Sequence, residues 1–504
     1  MTSERSMERK VAGGVAWSFM EKFLTMLVQM VVSIIVARQL MPEDFGVMAI
    51  MTFFTSVALT IVDSGFSQTL IRKAQPTDEE YRSVLGFNVI VSIVLYVVLV
   101  AISTPLAHLY GHDAIAEISP VLLLILPINS LCVVQTVMFT REFRFALLSK
   151  IVLASSLISG IIAIAMAVAG CGIWSLVAQR LVAMGIKAAA FWWIRRWRTT
   201  AKFNIQSLRS MAPFSLRLLA TDLLASIYNN VAQLFIGKIY STTALGYYSQ
   251  AQKLKDLPVT STVQAVQGVT YPALSKMAEG EETLASSYRR ILMLVSFVIS
   301  PVMLGLVAIA PEMFALLLGD KWMPTVPFFE ILALAGLFYP LAVIAYNILK
   351  VRSDGRIIFR LELLKRVIMT LVLILCIPQG IESVAWGMTA MALIELVMNI
   401  VAARRYVACS YAELAMAILP HLLAAGAMFG TLYLISPYFT DLTLGIRLMA
   451  KVATGAAIYL LLSWVMRLPA LNDSISLLRR VIKSRDSACR QNYRHHSIFK
   501  VCYA

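Results

Sequence analysis

The chain has 504 residues, of which 59% are hydrophobic and only 14% charged, with a mean hydropathy of +0.77. That composition lies far from the range of water-soluble globular domains and identifies a multi-pass membrane protein. The net charge of +16 does not signal a nucleic-acid partner, because Lys and Arg lie between apolar runs and not on one patch or motif.

Apolar runs of about 20 residues predict fourteen spans. They lie at 14–37, 45–64, 83–105, 118–140, 149–170, 173–194, 212–237, 244–267, 288–311, 325–349, 360–378, 381–403, 414–435 and 444–466. Basic residues crowd alternate loops: Arg5 to Lys10, Arg72 to Arg82, Arg141 to Lys150, Arg195 to Arg209, Lys276 to Arg290, Lys350 to Arg366, Arg404 and Arg405, and the tail from Arg467. The other loops hold only Arg38, Lys238, Lys321 and Arg447. Cytoplasmic loops collect Lys and Arg, so both termini are expected in the cytoplasm.

Glu8-Arg9-Lys10 opens like a signal peptide, but the following run is too long for an h-region and carries Glu21 and Lys22. It reads as an uncleaved first span. Along one face of that span lie Ser18, Lys22, Thr25, Gln29 and Ser33, and along one face of the second lie Thr52, Ser56, Thr60, Asp63 and Ser67. Hydroxyls also bond back to their own helix or join neighbouring helices, the plainer explanation of any single stripe. After the third span, His108 and Asp113 match the His-x4-Asp pattern of glycerolipid acyltransferases by chance; the loop is short and the acylation partners are absent.

Arg180 and Lys187 share a face of the sixth span, and two roles stay open for them: reaching a cleft or neutralising a carboxylate. Trp192, Trp193 and Trp197 follow as an interfacial belt. The seventh span carries Asp222, Ser226, Asn229, Asn230 and Gln233 on one face, and Arg217, Thr221 and Tyr228 on another.

The eighth is the most polar. Ser249, Lys253, Asp256, Thr260, Gln264 and Gln267 form a stripe roughly 27 Å long, close to the hydrocarbon thickness of a bilayer. Facing lipid, Lys253, Lys255 and Asp256 would together cost roughly 7 to 10 kcal/mol. They are therefore expected to face a partner or a water-filled cavity, with a kink where Pro258 removes the bond to the Leu254 carbonyl. An amphipathic surface helix is the alternative.

Later features are weaker. Glu395 and Lys451 are lone charges in spans, Tyr271 to Arg290 is a polar loop, and Gly319 to Pro324 reads as a turn with an interfacial Trp322. The tail, with a short amphipathic stretch Leu471 to Ile482, holds eight Lys or Arg against two Asp and suits anionic headgroups. Six scattered cysteines lack metal spacing, and the His495-His496 pair is too small a ligand set.

The halves echo each other. Arg38 to Gly46 answers Lys238 to Gly246, Pro105 to Gly111 answers Pro311 to Gly319, and Arg141 to Lys150 answers Arg352 to Arg360. The expected organisation is an N-terminal lobe at 1–205, a C-terminal lobe at 206–410, two further helices at 411–466 and a basic tail at 467–504. The fold class is all-α integral membrane, with two pseudo-symmetric six-helix lobes around a central cleft.

Val62 to Lys73 (VDSGFSQTLIRK), Gly172 to Gln179 (GIWSLVAQ), Ile236 to Ser241, Leu245 to Tyr248, Tyr271 to Ser275 and Lys321 to Pro324 occur in this order over nearly the whole chain. With these motifs the chain resembles the polysaccharide-transporter branch of the multidrug/oligosaccharidyl-lipid/polysaccharide exporters, of the colanic-acid and O-antigen lipopolysaccharide type. The resemblance implies two six-helix lobes, two extra helices and a flippase for a lipid-linked oligosaccharide in a bacterial inner membrane. It implies no catalytic residue and no bound cofactor.

The site expected from the stripes comprises Lys22, Gln29, Arg217, Asn229, Asn230, Gln233, Lys253, Lys255, Thr260 and Gln264, with the cations on a pyrophosphate and the amides on sugar hydroxyls. Asp63, Asp222 and Asp256 would bind a coupling H+ or Na+, or neutralise a nearby cation. No ATP motif is present. Rival readings are a cation-coupled multidrug antiporter and, further off, a membrane glycan polymerase or ligase. Expected partners are the polyprenyl pyrophosphate carrier, membrane phospholipids and other polysaccharide biosynthesis proteins.

Overall fold

The computed structural model describes residues 22–63, 65–197, 200–276, 281–353 and 355–473, apart from the side chains of 265, 266, 268–276 and 281–283. Ser18, most of the tail, the His495-His496 pair and the side chains of Tyr271 to Ser275 lie outside these residues.

The described residues are α-helical and contain no strand. The helices are α1 (Lys22–Gln39), α2 (Pro42–Asp63), α3 (Phe66–Arg72), α4 (Asp78–Tyr110), α5 (Ala114–Leu122), α6 (Ile125–Arg141), α7 (Phe145–Val168), α8 (Trp174–Ile194) and α9 (Ile205–Ile239). They continue as α10 (Thr242–Lys276), α11 (Glu281–Ala308), α12 (Ala310–Leu317), α13 (Val326–Arg352), α14 (Gly355–Cys376), α15 (Ile381–Ala403), α16 (Tyr411–Ile435) and α17 (Leu444–Val465). Ten segments are long and apolar enough to cross a membrane. The other four predicted spans coincide with α8, α9, α10 and α14, which are long but more polar.

Local chemistry explains the ends. The acidic first turn of α4 follows a capping box in which Thr77 and Glu80 satisfy each other's backbone N–H, and Ser410 with Glu413 does the same for α16. The fourth predicted span is broken at Leu123 and Leu124 into α5 and α6; Pro120 and Pro127 on either side each remove a helical donor. Between α2 and α3, Gly65 takes φ +69°, and a Cβ there would lie 2.4 Å from the Ser215 carbonyl oxygen of α9. The VDSGFSQTLIRK motif is thus a tight corner pressed on α9, fastened by the Thr69 and Ser215 hydroxyls at 2.7 Å. Arg141 closes the corner by donating to the carbonyls of Leu70, Ile71 and Ala74 at 2.8–3.0 Å, and to Lys73.

Packing divides the chain into two units, and their boundary falls inside α10, between Leu257 and Pro258. The first unit holds the described residues up to Leu257, with Phe314–Phe329 and Thr370–Gly387. Part of its core is formed by Phe66, Leu70, Val84, Leu85, Val134, Val137, Met138, Leu208 and Met211. The second holds Pro258–Met313, Glu330–Met369 and the described residues from Met388. There α11 packs on α16 around Phe297, Ala425, Met428 and Tyr459.

Within the first unit, the N-terminal turns of α2 and α10 cross so closely that only glycine fits. A Cβ on Gly46 would lie 1.8 Å from the Thr242 carbonyl oxygen, and one on Gly246 would lie 1.8 Å from that of Pro42. Equivalent residues of the two repeats contact each other reciprocally, which is what a two-fold axis produces. The flanking cations repeat the pattern. Arg38 donates from Nε to the Leu317 carbonyl at 2.7 Å, at the end of α12, and Lys238 donates to the Leu109 carbonyl at the end of α4. Each cation meets the negative end of a helix from the other repeat.

Trp322, expected at an interface, is instead fully buried in a 3-10 turn of this unit, donating from Nε1 to the Ala37 carbonyl at 2.9 Å. Phe45 and Tyr247 meet its ring edge-on at 5.2 and 6.1 Å. One residue earlier, Lys321 donates to the Arg38 and Leu40 carbonyls at 2.8 and 2.6 Å. The turn is a plug over the end of α1.

Because the crossing is backbone against backbone, no rotamer change can relieve an added methyl. Gly46→Ala and Gly246→Ala are each expected to destabilise by about 1 to 3 kcal/mol, read as a fall of several degrees in the Tm of purified protein. Gly430→Ala, where a Cβ meets nothing within 4 Å, should leave Tm unchanged or raise it.

Candidate functional site

The polar face of the first unit is assembled from α2, α6, α8, α9 and α10. Along α2, Thr52, Ser56 and Asp63 stand about 6 and 10 Å apart by helical rise, and each meets a side chain from another helix. Arg180 of α8 donates from Nη2 to Thr52 Oγ1 at 2.7 Å. The same guanidinium lies close enough to Lys253 of α10 for the two positive charges to repel. Ser226 of α9 meets Ser56 at 3.5 Å. Near the end of α2, Asp63 lies close to Asn129 of α6, is attracted by Lys187 of α8 and is repelled by Asp222 of α9. Gln233 of α9 donates to Gln252 of α10 at 3.1 Å.

The face therefore has two differently charged zones: a cationic one at Arg180 and Lys253, and a mixed one at Asp63, Asp222 and Lys187. Lys253 is accessible and Arg180 half-buried. Holding two like charges together in a membrane protein is unfavourable unless water or an anion reaches them. The arrangement can hold an anion at one zone and a cation at the other.

Several stripe hydroxyls and amides turn out to be less informative than the charges. Thr52, Ser56 and Thr60 bond to carbonyls of their own helix, as do Asn230 to Ser226 at 3.0 Å, Thr221 to Arg217 at 3.1 Å and Ser249 to Gly246 at 3.1 Å. Among the predicted cations, Lys255 pairs with Asp256 at 2.6 Å, so its charge is balanced locally. Lys22, Gln29, Arg217 and Asn229 are exposed. Thr260 and Gln264, also exposed, belong to the second unit. The structure brings together Lys253 with Arg180, Asp63 with Asp222, and Gln233 with Gln252.

Arg180 and Lys187 were left open in the sequence, and Asn129 and Gln252 were missed there. The usable signal was cost: a lone Arg or Lys in a span carries the same penalty as Lys253, whatever the stripe around it. By the same rule, the lone charges of the second unit turn out to be structural. Lys451 is buried against Glu312 at 2.6 Å, and Glu395 lies 3.0 Å from buried Lys365, which Glu362 also meets at 2.8 Å.

Comparison with known proteins places this geometry in a family. The polysaccharide biosynthesis protein model matches residues 35–327. The succinoglycan biosynthesis transport protein ExoT of Rhizobium meliloti (strain 1021) is 25% identical over 364 residues, 72% of this chain and 73% of that protein. Among solved structures, the lipid II flippase MurJ in an inward closed conformation superposes with a TM-score of 0.69 at 14% identity, covering 89% of this chain and 98% of that one. An inward-facing multidrug resistance MATE family transporter gives 0.60 at 14% identity, covering 76% and 94%. The fold is therefore that of multi-span transporters, and the chain belongs to the polysaccharide biosynthesis protein family.

Proposed function

We propose that this protein is a flippase: it moves a polyprenyl-pyrophosphate-linked oligosaccharide from the cytoplasmic to the periplasmic face of a bacterial inner membrane, for surface polysaccharide synthesis. The observation that carries the reading is the repelling Arg180 and Lys253 pair. Two cations within electrostatic reach of each other, neither in an ion pair with a carboxylate among the described residues, are suited to a pyrophosphate, whose charges cannot cross hydrocarbon unaided. Family membership and the likeness to a succinoglycan biosynthesis transport protein support the same reading.

On this proposal α8, α9, α10 and α14 also cross the bilayer, making fourteen spans with both termini cytoplasmic. Their polarity is that of helices lining a hydrated path. Gln233, Gln252, Asn229 and Asn230 would bond sugar hydroxyls while the lipid chain stays in the bilayer. The two six-helix lobes would expose the path to each side in turn. Asp63 and Asp222, two carboxylates in mutual repulsion, form a place where H+ or Na+ binding relieves charge and so couples transport to a gradient. A cationic drug fits Arg180 and Lys253 poorly, which disfavours the antiporter reading.

Deleting the gene should accumulate lipid-linked oligosaccharide on the cytoplasmic face; dye retention with unchanged surface glycan would point to the antiporter instead. In reconstituted vesicles, Arg180→Ala combined with Lys253→Ala should slow flipping at least about tenfold, the scale of one lost charge-assisted contact. Lys255→Ala should cost far less, since that lysine is already paired. Wild-type flipping by a correctly inserted double variant would overturn the phosphate assignment.

The coupling role is tested separately. Flipping by the wild type should respond to an imposed pH or sodium gradient, and Asp63→Asn or Asp222→Asn should make the rate gradient-independent. A wild-type rate indifferent to both gradients removes the role.

A further inference from the structure

The ends of α6 and α8 carry charges that the polar face does not use. Glu142, Arg144, Ile194, Arg195, Arg196 and Trp197 line a wide-mouthed surface cavity of about 510 Å³. The two oxygens of Glu142 are shared out: Oε2 receives Arg144 Nε at 3.1 Å and Oε1 receives Arg195 Nη1. One carboxylate so orients two guanidinium groups while occupying few of their ten N–H donors. Arg196 adds a third, exposed guanidinium, and three arginines against Glu142 in the lining and Asp78 behind Trp197 leave the cavity cationic.

The cavity wall is held firmly. Trp197 donates from Nε1 to Asp78 at 3.2 Å, meets the Tyr81 ring edge-on at 6.4 Å and packs on the core of the first unit. The surroundings are apolar and outward-facing. Trp193 is 78% exposed, Ile194 44% and Phe143 49%. Phe143 also has φ +56°, a left-handed conformation that costs a non-glycine residue about 1 kcal/mol or more. The chain thus keeps an aromatic ring on the surface at a conformational cost, between two residues, Glu142 and Arg144, that line the cavity. Guanidinium groups with exposed aromatic and aliphatic side chains as their immediate chain neighbours match the two-part chemistry of a lipid, an anionic phosphate joined to acyl chains.

We propose that this cavity binds an anionic phospholipid, its phosphate on Arg144, Arg195 and Arg196 and its acyl chains along Phe143, Trp193 and Ile194. None of these residues is among those that form the polar face, although α6 and α8 contribute to both, so the bound lipid is a resident of the surface and not the transported molecule. The net charge favours a doubly charged headgroup over a singly charged one, and both over a zwitterion.

The test uses full-length protein stripped of lipid in mild detergent and titrated with cardiolipin, phosphatidylglycerol or phosphatidylethanolamine, bound lipid being counted by native mass spectrometry. Wild type should bind cardiolipin and phosphatidylglycerol about tenfold or more above phosphatidylethanolamine. Arg196→Ala leaves both Glu142 pairs intact and should weaken anionic binding about fivefold, whereas Arg196→Lys should keep most of it. Combining Arg144→Ala, Arg195→Ala and Arg196→Ala should abolish the preference. Unchanged thermal unfolding of Arg196→Ala without lipid shows that its loss is not misfolding. Equal binding of phosphatidylethanolamine by the wild type, or undiminished preference in the triple variant, would overturn the proposal. So would a triple variant that loses a polyprenyl pyrophosphate but retains phospholipid, since the cavity would then serve the transported lipid.

Discussion

Where α2 and α10 cross, two backbone carbonyls occupy the space that two Cβ atoms would need, and this contact sets what surrounds it. With Gly46 and Gly246 in reciprocal contact, the preceding turns are brought near the ends of α4 and α12, so Arg38 and Lys238 reach carbonyls there. Trp322 and Lys321 fill and fasten the space over α1. The same crossing fixes the starts of the two helices from which Thr52 and Lys253 project. A sequence echo between residues 200 positions apart becomes a physical junction.

The cost of burying charge accounts for several of the ion pairs along these helices. Each ionised side chain in an apolar helix needs an opposite charge, a hydrogen-bonding cap or water. Lys451 with Glu312, Lys365 with Glu362 and Glu395, and Lys255 with Asp256 take the first solution. Arg141 takes the second at the corner of α3. Arg180 and Lys253 oppose each other, and Asp63 and Asp222 do the same further along the face, although Lys187 offsets part of that repulsion. Those two places stand out by not being resolved locally, which is why the transport reading rests on them and not on the hydroxyls. Phe143 adds a case in backbone terms, a strained aromatic kept at the surface between two residues that line a cationic cavity.

Composition and spacing alone determined that this is an all-α membrane protein, where its long helices lie, and that α2, α9 and α10 are polar along one face. These properties follow from hydropathy and from the 3.6-residue period, both local. The resemblance read from short motifs likewise pointed to the family that comparison then showed. Motif roles were less legible: the Val62 to Lys73 segment gave no sign of being a corner pressed on α9, because that depends on Ser215, far away in the chain.

Only the tertiary structure decided which charges have partners. In the sequence Lys253 and Lys255 look alike, yet one is balanced by Asp256 and the other opposes Arg180 from a helix some 70 residues earlier. Trp322 looked interfacial and is buried, because Phe45 and Tyr247 enclose it from two separate repeats. Helical periodicity reports the face on which a side chain stands. What that face meets is settled by long-range packing, which no local pattern encodes.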